Sequence, residues 1–273
     1  MMEKRFIVLI DFSKYSENLI KYAHDWSKET TAKILLVHQV NVLMPALADA
    51  NFKQKRLLQA QQEALARLKL MATKLIPATY QIDYLVTDTP LRFTIKRLLG
   101  DSFDNLVFVG LKGNGLLKKL FLGSVALDVI NTTEITVVAM PTGVEQFLHD
   151  KIFIAVNPIE PLNIEALNKF LRFLNTSNTV LTFFYLAKPD EDAHAVEIKL
   201  LDLKTQFSDH FNADYAIYEG QNRLEDLKKV INNQIDELLI VQRGSRLLKD
   251  RIFRKFLINE LVHEGETPLV ILP

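Results

Sequence analysis

The chain has 273 residues, a length that suits two domains of about 100–200 residues each better than one. Its 33 basic and 33 acidic residues cancel, which excludes the global positive field that nucleic acid or an anionic membrane demands of a main partner. Cysteine is absent, so disulfides, thiol catalysis and zinc–thiolate sites are excluded, and a reducing, cytoplasmic setting is expected.

The apolar run in "MMEKRFIVLIDFS" meets Asp11 at once and reads as a buried strand rather than a signal peptide. Further short apolar runs follow at 34–38, 80–86, 106–111 and 136–140, with helical patterns between them. That alternation predicts an α/β fold with a mostly parallel sheet covered on both faces. Residues 17–29 set Leu19, Tyr22, Ala23 and Trp26 on one helical face after Ser13 and Ser16 as candidate caps. A long amphipathic stretch occupies 50–75, and Thr89 with Pro90 reads as cap and first turn of a helix running to Leu99.

The second half repeats the order, with runs at 152–156, 180–186, 214–218, 237–241 and 269–272. The run at 180–187 is too short to span a bilayer, which takes about 20 apolar residues. "DNLVFVG" ends at Gly110 and "DELLIVQ" at Gln242, while "TVVAMP" ends at Pro141 and "PLVILP" at Pro273, an offset of 132 in both cases. At the front Asp11 corresponds to Asn157, an offset of 146, so the second copy is 14 residues shorter. The expected domains are 1–141 and 151–273, with 142–150 as linker.

Four of the nine glycines fall within "VGLKGNGLLKKLFLGSV", residues 109–125. Gly110 ends the fourth predicted strand, and Gly113 lets the backbone approach a ligand closely. Gly123 and Ser124 open the next helix, where unpaired N–H groups and the dipole favour an anion and the Ser124 hydroxyl adds a donor. In open α/β sheets, ligands bind beyond the carboxyl ends of the strands where strand order reverses. Asp11 ends the first strand in that crevice, placed to hydrogen-bond a ribose or to help hold a phosphate-bound magnesium ion. Lys112, Lys118 and Lys119 are read either as cations beside the phosphates, Lys112 foremost, or as solvated loop lysines.

With Gly110, Gly113, Gly123 and Ser124 at its motif positions, "LIDFS" at its first strand and "GSVALDVI" at its last helix, the first half resembles the universal stress protein family, and the chain a tandem member of it. The resemblance implies two Rossmann-like, adenine nucleotide alpha hydrolase-like domains of strand order 3-2-1-4-5, packed as a pseudo-dimer. It implies ATP or a related adenine nucleotide as ligand, possible pairing through the last strands, and contacts from Asp11, Phe12, Ser13, Val40, Gly110, Lys112, Gly113, Gly123, Ser124 and Val125.

The second copy departs from this pattern: Gln242, Ser245, Lys255 and Phe256 replace the three glycines and the serine, and Asn157 replaces Asp11. A lysine and a phenylalanine in the cradle obstruct it, so this half is expected not to bind ATP in the usual way. It carries instead the basic series Arg243, Arg246, Lys249, Arg251, Arg254 and Lys255, read as a solvated face or an acidic-partner patch. The six histidines lack zinc-helix spacing. The function expected is an ATP-binding stress sensor or regulatory module. The rivals are a slow ATPase or phosphoryl-transfer enzyme, which has no identifiable base or arginine finger, and a protein-binding scaffold without nucleotide.

Overall fold

The computed structural model describes all residues except 1, 14, 111–123, 142–143, 145, 158–159, 175–178, 188–190, 220–236 and 244–266. In the first half β1 (Glu3–Leu9), α1 (Ser16–Thr30), β2 (Lys33–Gln39), α2 (Ala50–Leu75), β3 (Ile82–Thr87), α3 (Leu91–Leu98), β4 (Phe103–Gly110), α4 (Ser124–Thr132) and β5 (Val137–Met140) follow one another. The second half contributes β6 (Lys151–Ala155), α5 (Ile164–Leu171), β7 (Val180–Ala187), α6 (His194–Phe207), β8 (Asn212–Glu219), β9 (Leu238–Gln242) and β10 (Leu269–Leu272).

The ten strands among the described residues form one sheet of order β3-β2-β1-β4-β5-β10-β9-β6-β7-β8, so each half carries the same 3-2-1-4-5 order. Every pairing is parallel except β5 with β10. In that antiparallel seam Val138 faces Val270, while Ala139 faces Leu269 and Val137 faces Ile271. Under the sequence offset of 132, Val138 and Val270 are equivalent residues. The local two-fold axis therefore passes through this pair, and the contact is isologous in the manner of a homodimer.

The strands read as unbroken apolar runs because helices cover both faces of the sheet. Phe6, Val8, Leu106, Phe108 and Val138 point to one face, with α1, α2, α5 and α6, and Ile7, Leu9, Val107, Val109 and Val137 to the other, with α3 and α4. Helix α1 buries Leu19, Ile20, Tyr22, Ala23, Trp26 and Thr30 at three- and four-residue spacings. It stops at Thr31, which takes a left-handed conformation at φ 54°. Helix α2 starts on Asp49, whose side chain accepts the Phe52 N–H at 2.8 Å. It buries only Ala64, Leu68 and Ala72, all in its C-terminal part.

Two local readings shift. The N-cap of α1 is Tyr15, without a side-chain cap bond; Asp11 Oδ1 instead receives the Ser13 N–H at 2.9 Å and the Ser16 hydroxyl at 3.1 Å. At α3 the cap position falls on Pro90 itself rather than Thr89, because its ψ of 136° is not helical.

The halves share a core. Trp26 Nε1 donates to the Phe173 carbonyl at 2.6 Å across the junction, and its ring stacks on Phe147 with centroids 4.1 Å apart. Phe6 also meets Phe173, and Trp26 meets Phe170. The segment expected as a polar linker is itself anchored. Phe147 N–H donates to Asp25 at 3.2 Å, and buried His149 bridges Glu29 (2.7 Å) and Thr179 (3.0 Å).

Candidate functional site

In the first half strand order reverses between β1 and β4, and this fixes where a crevice opens at the carboxyl edge. Leu9 lies in register with Val109, so Gly110 and the segment Ile10–Ser13 emerge side by side. Asp11 is exposed, and Phe12 and Ser13 are half-buried. The Asp11 carboxylate closes a turn through its bonds to Ser13 and Ser16, an arrangement that a short acidic side chain favours.

Phe12 adopts φ 58°, the left-handed region that a bulky residue occupies only when its surroundings hold it. Its ring is held by two neighbours. His38, near the end of β2, lies 4.3 Å away between centroids, and the Arg67 guanidinium from α2 sits 4.2 Å over the ring. Arg67 also reaches the Phe12 carbonyl at 3.5 Å. His38 Nδ1 donates to the Ile10 carbonyl at 2.7 Å, which fixes the imidazole on the rim of the crevice. Val40, one residue beyond β2, is buried and donates its N–H to Thr87 at 2.8 Å, tying it towards β3.

Gly110 needs no glycine for its own conformation or packing among the described residues. A Cβ built there meets only Leu19 Cδ2 at 3.9 Å, ordinary van der Waals contact. Ser124 and Val125 are the first described residues of α4, and the N-terminal end of a helix is where an anion is most favourably met. Lys112, Gly113, Gly123, Lys118 and Lys119 lie outside the described residues, as do Gly244, Ser245, Lys255 and Phe256 of the second half.

The second half shows a different crevice edge. Gln242, standing where Gly110 stands, sends its side chain across to the loop before α5: Oε1 accepts the Asn163 N–H at 2.6 Å and Nε2 donates to the Pro161 carbonyl at 3.1 Å. Asn163 in turn caps α5 through Ala166 N–H at 3.0 Å and reaches the Pro273 carbonyl at 3.4 Å. The strand ends and helix start are thus laced together where the first half has no Cβ at all.

Arg67 and the bridging role of Gln242 escape sequence reasoning. Each depends on partners remote in the chain, and Arg67 sits unremarkably among the lysines and glutamines of α2. Among the described residues no group of three His, Asp or Glu is placed to hold a metal ion, and no helix is long and apolar enough to cross a membrane.

Residues 2–141 match the model of the Universal stress protein family. No curated protein matches the chain. Among solved structures it is similar to a universal stress protein from Archaeoglobus fulgidus DSM 4304, at 15% identity and TM-score 0.67 over 98% of this chain and 97% of that one. A functionally unknown protein from Pseudomonas aeruginosa PAO1 follows at 13% identity and TM-score 0.55, covering 98% of this chain and 92% of its own. The cytoplasmic domain of a prokaryotic cation chloride cotransporter superposes with TM-score 0.53 at 12% identity, over 99% of this chain and 96% of that one. At such identities the likeness is one of fold.

Proposed function

Since the chain belongs to the universal stress protein family, we propose that its first half binds ATP or a related adenine nucleotide as a sensor or regulatory module, and that its second half is a built-in structural partner without a nucleotide of its own. The domains in this reading are 1–141 and 151–273, joined by 142–150, and the setting is the cytoplasm. The observation that carries it is the sequence spacing Gly110, Gly113, Gly123, Ser124, whose first member is the last described residue of β4 and whose last is the first described residue of α4, beside the point where strand order reverses.

The residues present fit such a ligand. A glycine that neither its backbone conformation nor packing among the described residues requires, as at position 110, suits close approach of a phosphate chain. The N-terminal amides of α4 and the Ser124 hydroxyl supply donors to phosphate oxygens. Asp11 would hold a ribose hydroxyl or a phosphate-bound magnesium ion, Phe12 and Ser13 would border the base and sugar, and backbone at Val40 would meet the base edge. Lys112 would add charge near the phosphates. A nucleotide supplies the signal through its presence, and the chain supplies orientation and charge complementarity. The closed edge formed by Gln242 supports one occupied half rather than two.

Denaturing freshly purified protein and quantifying released nucleotide tests this directly. About one adenine nucleotide per chain is expected, falling at least tenfold in Gly113→Val, since a side chain there displaces charge-assisted phosphate contacts of about 1.5–3 kcal/mol. Two nucleotides per chain would sink the asymmetry, and none after incubation with excess ATP and magnesium would sink the nucleotide reading.

A further inference from the structure

Of the basic series in the second half, Arg243 is the member that lies among the described residues, and its guanidinium is engaged rather than solvated. Its backbone N–H donates to the Leu272 carbonyl at 2.8 Å, which anchors it at the end of β9. From there the side chain crosses into the first half. Nη1 donates to the carbonyls of Thr133 (2.8 Å) and Ile130 (3.3 Å), and Nη2 to the Glu134 carboxylate.

Those carbonyls belong to the C-terminal end of α4, where backbone oxygens lack partners inside the helix and the dipole is negative. Neighbouring carbonyls are served locally, Asp128 by the Thr132 hydroxyl and Val129 by the Thr133 hydroxyl at 2.6 Å. The described part of α4 spans 9 residues, too few to be stable by propensity alone. It is fixed by burial of Val129 and Ile130, by the Arg92–Asp128 ion pair at 3.2 Å, and by this cation from the other half. Under the offset of 132 the first-half counterpart of Arg243 is Leu111, which has no side-chain donor. Position 111 therefore cannot return this bridge, and the contact described runs from the half without the glycine motif to the half with it.

We propose that Arg243 is a positioning residue for the phosphate site of the first half: by capping α4 at its C-terminal end from the second half, it holds the helix whose opposite end meets the nucleotide. This inference rests on the nucleotide reading given above. By linkage, occupancy of the site and closure of the Arg243 contact strengthen one another by the same factor.

The test uses the full chain with Arg243→Met, which keeps the aliphatic stem, Arg243→Lys, which keeps the charge without the fork, and Trp26→Phe as a destabilising control at another inter-half contact. ATP affinity by calorimetric titration and hydrogen exchange of the α4 amides are measured on each. Arg243→Met should raise Kd by about fivefold or more and speed exchange in α4, Arg243→Lys should recover part of both, and Trp26→Phe should lower Tm with Kd unchanged. If the unmodified chain binds ATP and Arg243→Met binds it equally well, the positioning role is overturned while the nucleotide reading stands. Equal weakening in Trp26→Phe also overturns it, by reducing the effect to general loss of stability. Failure of the unmodified chain to bind ATP removes the nucleotide reading and this role together.

Discussion

His24 is buried on α1 with no hydrogen-bond partner at Nε2 among the described residues. Burial, and secondarily the Lys28 charge, hold its pKa below the usual histidine value against a smaller opposing pull from Asp25. The unfolded chain then binds the proton more readily. Stability from this site is complete above about pH 6.5 and is lost as pH falls towards the lowered folded value. His24→Leu should remove that acid-side slope in chemical denaturation series and stabilise the fold by about 1 kcal/mol at neutral pH, by replacing an unsatisfied polar atom. A slope that persists in His24→Leu would assign it to another group. Other residue-scale features differ in how far they can be read from sequence. Gly110 and its replacement by Gln242 are legible because they are matched by position. The bonds from Gln242 to Pro161 and Asn163 are not, since they depend on which loop the fold brings opposite the strand end. Arg67 over Phe12 is hidden for the same reason.

Elements are more legible than contacts. The strands follow from apolar runs, α1 and α2 from an apolar stripe, and α3 from the start signal at Thr89 and Pro90, because a sheet covered on both faces needs continuous apolar runs and a helix shows itself by its stripe or its first turn. What period cannot say is which half an element packs against. The apolar stripe of α1 predicts a buried face but not that Trp26 would donate to Phe173 in the other half. The linker, read as a polar connection, is pinned by Phe147 and His149 for a similar reason: short segments carry no periodicity to betray burial. Trp26→Phe leaves the Phe173 carbonyl without this donor and thins the stacked cluster. It should cost about 2–4 kcal/mol in denaturation followed by circular dichroism, and a loss below 0.5 kcal/mol would show that the junction does not depend on it.

At the scale of the molecule, the two halves form one ten-stranded sheet and share apolar clusters on both of its faces. A fragment ending at residue 141 would uncover β5, whose four residues are all buried in the intact chain, and an unpaired apolar edge strand seeks a partner. Because the Val138–Val270 pair sits on the local two-fold axis, a second copy of the fragment can offer the same strand in the same register. Light scattering should find fragment 1–141 dimeric, and a stable monomer would mean that the seam contributes less than its burial suggests. In the whole chain that partner strand is covalently supplied. The pairing therefore forms at an effective concentration set by chain connectivity, one that dilution does not lower. A free homodimer loses its seam when expression falls and exchanges subunits with any relative that presents a similar edge. Here the seam between the two halves stays closed at every copy number, because its partner strand travels with it.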